Sequence, residues 1–156
     1  MNKQLTTEVN EANPNEKEAL ELIEKVRNRI NSTNSQFYEI VNDLRIIRDK
    51  KYYFLVKNTK TNEPFSNFEE FCLFYYDLSR TTVFNYMQAL EYLEKYHPQH
   101  VHACEPIEHR KINLLATLDN DKFQNKRIEL DNKVFNEKIS YRDLEEEIKS
   151  LKIKSV

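Results

Sequence analysis

The chain contains no glycine. Glycine supplies positive-φ turns and lets a backbone approach phosphate closely. Its absence therefore excludes a P-loop and the dinucleotide-binding fingerprint, and argues against tight β-hairpins and against a strained nucleophile elbow. Helices joined by Asn, Asp, Ser and Pro can do without it, because asparagine tolerates the left-handed positions at helix ends. Cysteine is scarce as well: Cys72 and Cys104 make no disulfide framework and are expected as free thiols in a reducing compartment. Nor does any run approach the ~20 apolar residues that span a membrane, and residues 1–8 are polar, without an apolar signal region. Together these absences predict a cytoplasmic protein with no membrane partner.

A basic excess is also missing. The net charge is −2, from 24 Lys and Arg against 26 Asp and Glu, whereas a uniformly basic domain is the usual footprint of nucleic-acid binding. The charge is uneven, however. Between residues 45 and 60 stand Arg45, Arg48, Lys50, Lys51, Lys57 and Lys60 against one acid, Asp49. Such a run is either a solvated helix end or a phosphate-facing patch.

What is present reads as helix. Residues 1–14 are polar and end at Pro14, which predicts a disordered tail. From Glu16 onward Ile23, Val26, Ile30, Thr33, Phe37, Ile40, Leu44 and Ile47 alternate steps of three and four, the heptad spacing. The poor helix formers at 31–35 interrupt them. One long helix or two helices meeting at that break both fit, with the retained register favouring a continuous seam. The seam is either a core-facing stripe or a dimer coiled coil. Residues 52–57 fit a short strand or a helix end, and 57–64 a polar loop. Ser66 with Glu69 three residues on predicts a capping box, with Phe65 stapled to the first turn. That helix should end near Tyr75 or Tyr76 and the chain should turn at Asp77-Leu78. Ser79 should cap a second helix to about Tyr96, stopped by Pro98.

Residues 97–108 read as a loop. Pro106 is expected at the start of a helix over 107–118 with Ile112, Leu115 and Leu118 apolar. Residues 122–135 are weakly patterned. A last helix should start at Ser140, with Leu144, Ile148 and Leu151 as its stripe. The fold class is all-α, with a central helix-turn-helix and a long N-terminal helix. Four regions are expected: 1–14 a disordered tail, 15–50 an N-terminal helical region with possible dimerisation, 51–98 a helix-turn-helix domain, and 99–156 a C-terminal helical region.

The segment 68–87 resembles a helix-turn-helix. That motif needs two short helices, a tight turn, and a second helix with one buried and one exposed face. Val83, Tyr86, Met87 and Leu90 would form the buried face, and Leu78 would plug the turn. Arg80, Thr81, Phe84, Asn85 and Gln88 would project outward. Arginine pairs with guanine, Asn and Gln pair with adenine, and threonine donates to a base or a phosphate. Ser79 and the first amides of the helix suit a phosphate. The motif ordinarily has glycine where Asp77 stands and alanine near Leu73, so Leu73 implies a wider helix crossing.

Beyond the motif, residues 46–53, 65–71 and 79–93 resemble the plasmid replication and partition proteins of spirochaetes. That family has a helix ending in a similar Asp-x-x-Tyr-Tyr, a loop, a phenylalanine-rich helix and a recognition-type helix. The likeness spans about residues 40–95, roughly a third of the chain. It implies DNA binding in plasmid maintenance or transcriptional control, with contacts on Ser79, Arg80, Thr81, Asn85 and Gln88. Arg48, Lys50, Lys51, Lys57 and Lys60 join them as candidate phosphate contacts.

His97, His100, His102, Cys104 and His109 form a second cluster of zinc-type ligands, but their spacing matches no finger and the chain has no Cys-x2-Cys knuckle. No structural metal and no cofactor are expected. Cys104 beside a histidine lacks an oxyanion hole and an orienting third group, and no carboxylate pair stands out as an acid/base couple, so no enzyme activity is expected. The nine Tyr and nine Phe fall mostly at core spacing rather than forming a stacking platform for single strands. The expectation is a sequence-specific DNA-binding protein, dimeric on double-stranded DNA, acting in plasmid partition, replication control or transcription. The alternative is a helical adaptor that binds a protein partner through the same helices.

Overall fold

Apolar residues spaced for helices, with almost no strand alternation, produce an all-α fold. The computed structural model describes residues 14–30 and 36–154. Among these, seven α-helices and one two-residue β-ladder account for the regular structure: α1 (Pro14–Ile30), α2 (Phe37–Asp49), β1 (Lys57–Asn58), β2 (Glu63–Pro64), α3 (Phe68–Tyr76), α4 (Arg80–Tyr96), α5 (His109–Ala116), α6 (Gln124–Asn136) and α7 (Tyr141–Lys154). Short 3₁₀ turns cover Tyr52–Leu55 and Pro98–His102. None of the helices is long and apolar enough to cross a membrane. The chain divides into two compact units, Met1–Phe84 and Asn85–Val156, with the boundary inside α4.

In the first unit, α1 and α2 pack on each other as a pair rather than forming the long N-terminal helix that the retained register favoured. Arg29 Nη1 lies 3.6 Å from Asp43 Oδ2, and Lys25 Nζ lies 3.7 Å from the same oxygen. Fourteen positions along one straight helix would separate Arg29 from Asp43 by roughly 21 Å. The new helix starts after Gln36, which sits in the left-handed region (φ 72°). Of the stripe, Ile23, Val26, Ile40, Leu44 and Ile47 are buried within the chain, and Ile30 and Phe37 are half-buried. It is a core-facing stripe, the first of its two readings. The expected tail at 1–14, apart from Pro14, and the expected break at 31–35 lie outside the described residues.

The region after α2 corrects two further expectations. Residues 52–55 form a 3₁₀ turn, with Tyr52 and Tyr53 buried and Phe54 and Leu55 exposed. Residues 57–64 form a small antiparallel hairpin, Lys57 opposite Pro64 and Asn58 opposite Glu63. A glycine-free hairpin is possible here because Asn62 takes the positive-φ position (φ 58°), where its short polar side chain is tolerated. Its N–H donates to the Asn58 carbonyl at 2.7 Å.

In the second unit, Ile112, Leu115 and Leu118 from α5 and just beyond it share the core with Leu130 and Val134 of α6 and Leu144 and Ile148 of α7. Helix α5 starts at His109, so Pro106 precedes it by three residues instead of opening it. Ser140 caps α7, its Oγ accepting from the Asp143 N–H at 3.1 Å; of the expected stripe Leu144 and Ile148 are buried and Leu151 is half-buried.

Candidate nucleic-acid interface

Helix α3 begins one residue later than its capping box suggested. Asn67 is the cap, its Oδ1 accepting from the Glu70 N–H at 2.8 Å. Ser66 is displaced because Asn is at least as good a cap as Ser. Phe65 still packs across the first turn, 5.5 Å edge-to-face from Phe71. The end of α3 is held to α1 by a buried bond from Tyr76 Oη to the Ile23 carbonyl, 2.8 Å, and by Arg27 lying 4.5 Å from the Tyr75 ring centroid.

Asp77 then adopts the left-handed conformation (φ 55°), where a glycine usually stands. Its N–H donates to the Leu73 carbonyl at 3.1 Å, and the Leu78 N–H donates to the Cys72 carbonyl at 3.3 Å. These bonds satisfy carbonyls that the helix end leaves orphaned. Helix α4 opens four residues after Tyr76. Ser79 Oγ accepts from the Thr82 N–H at 3.2 Å and donates to Thr82 Oγ1 at 2.9 Å. The Ser79 hydroxyl is thus engaged in the cap.

At this opening Ser79, Arg80 and Thr81 are exposed, while Val83 is buried. Further along α4, in the second unit, Met87 and Leu90 are buried, and Asn85 and Gln88 are half-buried. Tyr86 is half-buried too, its ring 4.9 Å edge-on to His109, and burial raises its phenol pKa. Leu73, expected at a helix crossing, is 57% exposed instead. It fills no interface among the described residues.

The basic run belongs to the first unit, together with Arg80. Arg45 Nη2 donates to Asn42 Oδ1 at 2.7 Å, and Arg48 is paired with Asp49 at 2.9 Å. Lys50 places its ammonium 5.8 Å from the Tyr52 ring centroid. Lys50, Lys51, Lys57 and Lys60 are exposed, and none of the four has an ion pair among the described residues. The segment from Ser66 to Phe84 carries Glu69, Glu70 and Asp77 against Arg80 alone, so attraction to phosphate has to come from the lysines.

The fold keeps His97 and His100 together, their ring centroids 5.7 Å apart, but does not gather the rest of the cluster around them. His97 and His100 pack on Phe135, with centroids 3.8 and 4.9 Å away. His109 is at Tyr86, and Cys104 is exposed. Among the described residues no three His, Cys, Asp or Glu side chains converge as a metal would need.

A polar network within the second unit is the feature that pattern reading misses. Asp131, buried on α6, accepts from Tyr92 Oη at 2.5 Å and contacts His97 Nε2 at 2.7 Å. Arg127, one turn earlier and also buried, donates to Tyr92 Oη at 2.8 Å and lies 3.6 Å from Asp131 Oδ2. Asp119 accepts from Tyr96 Oη at 2.5 Å and from Lys95 Nζ at 2.9 Å. With its amide oxygen turned to the donors, Gln124 accepts from Arg127 Nε and donates to Asp119 Oδ1, both at 3.3 Å. Burial alone would raise the Asp119 carboxyl. The hydrogen bonds from Tyr96 and Lys95, with the charges of Lys95 and Arg127, bring it below its ordinary range. Burial first, and the bond to Asp131 second, push the Tyr92 phenol up. Each buried charge has a partner, as burial requires. The network joins α4 to α6.

No family model, curated protein or solved structure matches the chain.

Proposed function

We propose that the chain is a sequence-specific, non-enzymatic DNA-binding protein of the cytoplasm, acting in plasmid partition, replication control or transcriptional regulation. One observation carries this reading: α4 starts on a Ser79 cap two residues after the left-handed Asp77, and its first turn exposes Arg80 and Thr81 in the same compact unit as four lysines without ion pairs among the described residues. Recognition helices touch bases near their N-terminal turn. In this reading Arg80, with Asn85 and Gln88, reads base edges. Thr81 and the Ser79 turn meet phosphate, and Arg48, Lys50, Lys51, Lys57 and Lys60 supply affinity. Two copies would suit half-sites a helical turn apart. Since the N-terminal stripe is buried within the chain, they would have to meet through another surface.

A gel-shift series over salt concentration tests the reading, because phosphate contacts make affinity fall steeply with salt. Arg80→Ala should cost about 1–3 kcal/mol on a selected site and much less on random duplex. If Arg80 and Asn85 can be replaced without effect on any DNA, the reading fails.

A second reading has its own support. Leu73 and Phe84 are 57% and 63% exposed, and large exposed apolar side chains mark protein contacts when they are contiguous. A helical adaptor would use them, and its binding would be nearly independent of salt.

A further inference from the structure

The 3₁₀ turn at Tyr52–Leu55 is built unlike an ordinary surface loop. Its first two residues are anchors: Tyr52 and Tyr53 are buried, and the Tyr53 ring lies 6.0 Å from Phe68 and 6.3 Å from Phe71 on α3. Its last two residues are open to solvent. Phe54 is 45% and Leu55 39% exposed, and the Phe54 ring packs at 4.6 Å on Tyr53 alone among the described rings. The turn is closed by the Phe54 N–H donating to the Lys51 carbonyl at 3.1 Å. Lys51 itself is held in the left-handed region (φ 56°), a conformation disfavoured for a non-glycine residue.

Cations flank this apolar pair. Lys50 and Lys51 precede it, Lys57 follows on β1, and Lys60 follows on the hairpin that packs against the turn. All four are exposed and without ion pairs among the described residues, and no acid occurs between residues 50 and 62. The nearest hairpin acid, Glu63, pairs across from Asn58 rather than Lys57. An exposed Phe-Leu pair among unneutralised lysines is complementary to a polyanion that also offers apolar faces to stack on.

We propose that Phe54 and Leu55 form an apolar wedge that inserts between base pairs of duplex DNA, with Lys50, Lys51, Lys57 and Lys60 on the flanking phosphates. Proteins that enter the minor groove unstack base steps with such residues and kink the duplex. Unstacking demands a rigid support, and the buried tyrosines supply it, Tyr53 by packing on Phe68 and Phe71 of α3. Insertion into an anionic lipid surface needs no such anchoring, so the observations favour the duplex. The proposal rests on the DNA-binding reading and adds to it a second, sequence-tolerant contact that bends the site.

The chain has no tryptophan, so Phe54→Trp in the full-length protein places a single indole at the wedge. The probe is a mixed-sequence duplex of roughly 30 base pairs carrying a fluorophore at each end. Its titration should quench the indole and raise end-to-end energy transfer as the duplex bends. Phe54→Ala with Leu55→Ala should remove the bend and weaken binding by roughly tenfold, on the scale of one stacked base, at unchanged salt dependence. Lys51→Ala with Lys57→Ala should lower the salt slope by about 0.9 per lost contact. Circular dichroism should match the parent for both double variants, because all four side chains are exposed. Wild type that binds no duplex at low salt overturns the wedge and the DNA reading together. Wild type that binds, with the Phe54/Leu55 variant equal in affinity and bend, overturns the wedge alone. A blue-shifted, brightened indole on vesicles of anionic lipid, without quenching on DNA, also overturns it and assigns the turn to membrane surfaces.

Discussion

The guanidinium of Arg127 lies 3.7 Å from the centroid of the Tyr96 ring, while its Nη1 donates to the hydroxyl of Tyr92, one turn earlier on the same helix. Arg127 is therefore a buried cation held between two tyrosines and the carboxylates of Asp119 and Asp131. Breaking a buried ion pair by removing one partner costs about 3–5 kcal/mol, because the other charge stays buried. Asp131→Ala should cost about that much in urea unfolding, and Tyr92→Phe about 1–2 kcal/mol for its two hydrogen bonds. Arg127→Met with Asp131→Leu should cost less than Asp131→Ala alone. Additive losses would show that the network is not a unit.

The two cysteines should differ sharply in reactivity. Cys104 is exposed, whereas Cys72 is buried on α3. Burial, reinforced by Glu69, pushes the Cys72 thiol up to about 12, and only the thiolate reacts. A thiol reagent at neutral pH should modify one site per native chain, at Cys104, and two after denaturation. Native labelling of Cys72 at a comparable rate would contradict the packing of α3.

Stability should fall on mild acidification. Burial, with the charge of His97 next, lowers the His100 pKa, and burial lowers that of His109. A lowered value in the fold means that the unfolded chain takes up protons first. Stability is then lost as the pH falls below about 6.5, the ordinary histidine value, towards the folded values. The lowered Asp119 adds a second loss below the ordinary carboxylate range, as pH falls through its folded value. Thermal midpoints measured from pH 8 to pH 3 (roughly the span of these groups) should decline in two steps. His109→Gln should shrink the first, and a midpoint flat down to pH 5 would contradict the partial burial of both rings.

These predictions lean most on the parts of the fold that the sequence left least legible. The all-α class, the turn at Asp77, the Ser79 cap and the Ser140 cap could all be read, because each rests on a local signal: heptad-spaced apolar residues or one oxygen facing one amide. Helix α6 could not. Its buried stripe is Arg127, Leu130, Asp131 and Val134, with helical spacing, but two of the four are charged, so hydrophobic periodicity breaks where the network sits. The α1–α2 pair was ambiguous because a heptad register continues across a reversal as easily as along a straight helix. Asp43 meeting Lys25 and Arg29 is a tertiary fact. Of the candidate DNA contacts, the residue types were visible, but the engaged Ser79 hydroxyl and the buried tyrosine anchors of the 52–55 turn were not.

The missing glycine leaves a measurable mark. Gln36, Lys51, Asn62, Asp77 and Lys138 all have positive φ among the described residues. Asn and Asp tolerate this conformation, whereas Lys138, exposed between α6 and α7 (φ 54°), does not. Lys138→Gly should raise stability by up to about 1 kcal/mol, the relief of left-handed strain less the added freedom of the unfolded chain. Lys138→Val should lower it, since a branched side chain suits that region least. A glycine variant less stable than the parent would show that the turn is relaxed.

The central claim is DNA binding through the opening of α4 and the lysines of the same unit, and fluorescence anisotropy on labelled duplex over a salt series tests it most directly. The sites would be drawn by selection from a random library. Log affinity should fall linearly with log salt, with a slope of about 0.9 per phosphate contact. Arg80→Ala should lose affinity on the selected site only, and Lys50→Ala and Lys51→Ala should lose it on every sequence. No binding at low salt, or binding indifferent to salt and to Arg80, would contradict the account and favour a protein partner on Leu73 and Phe84.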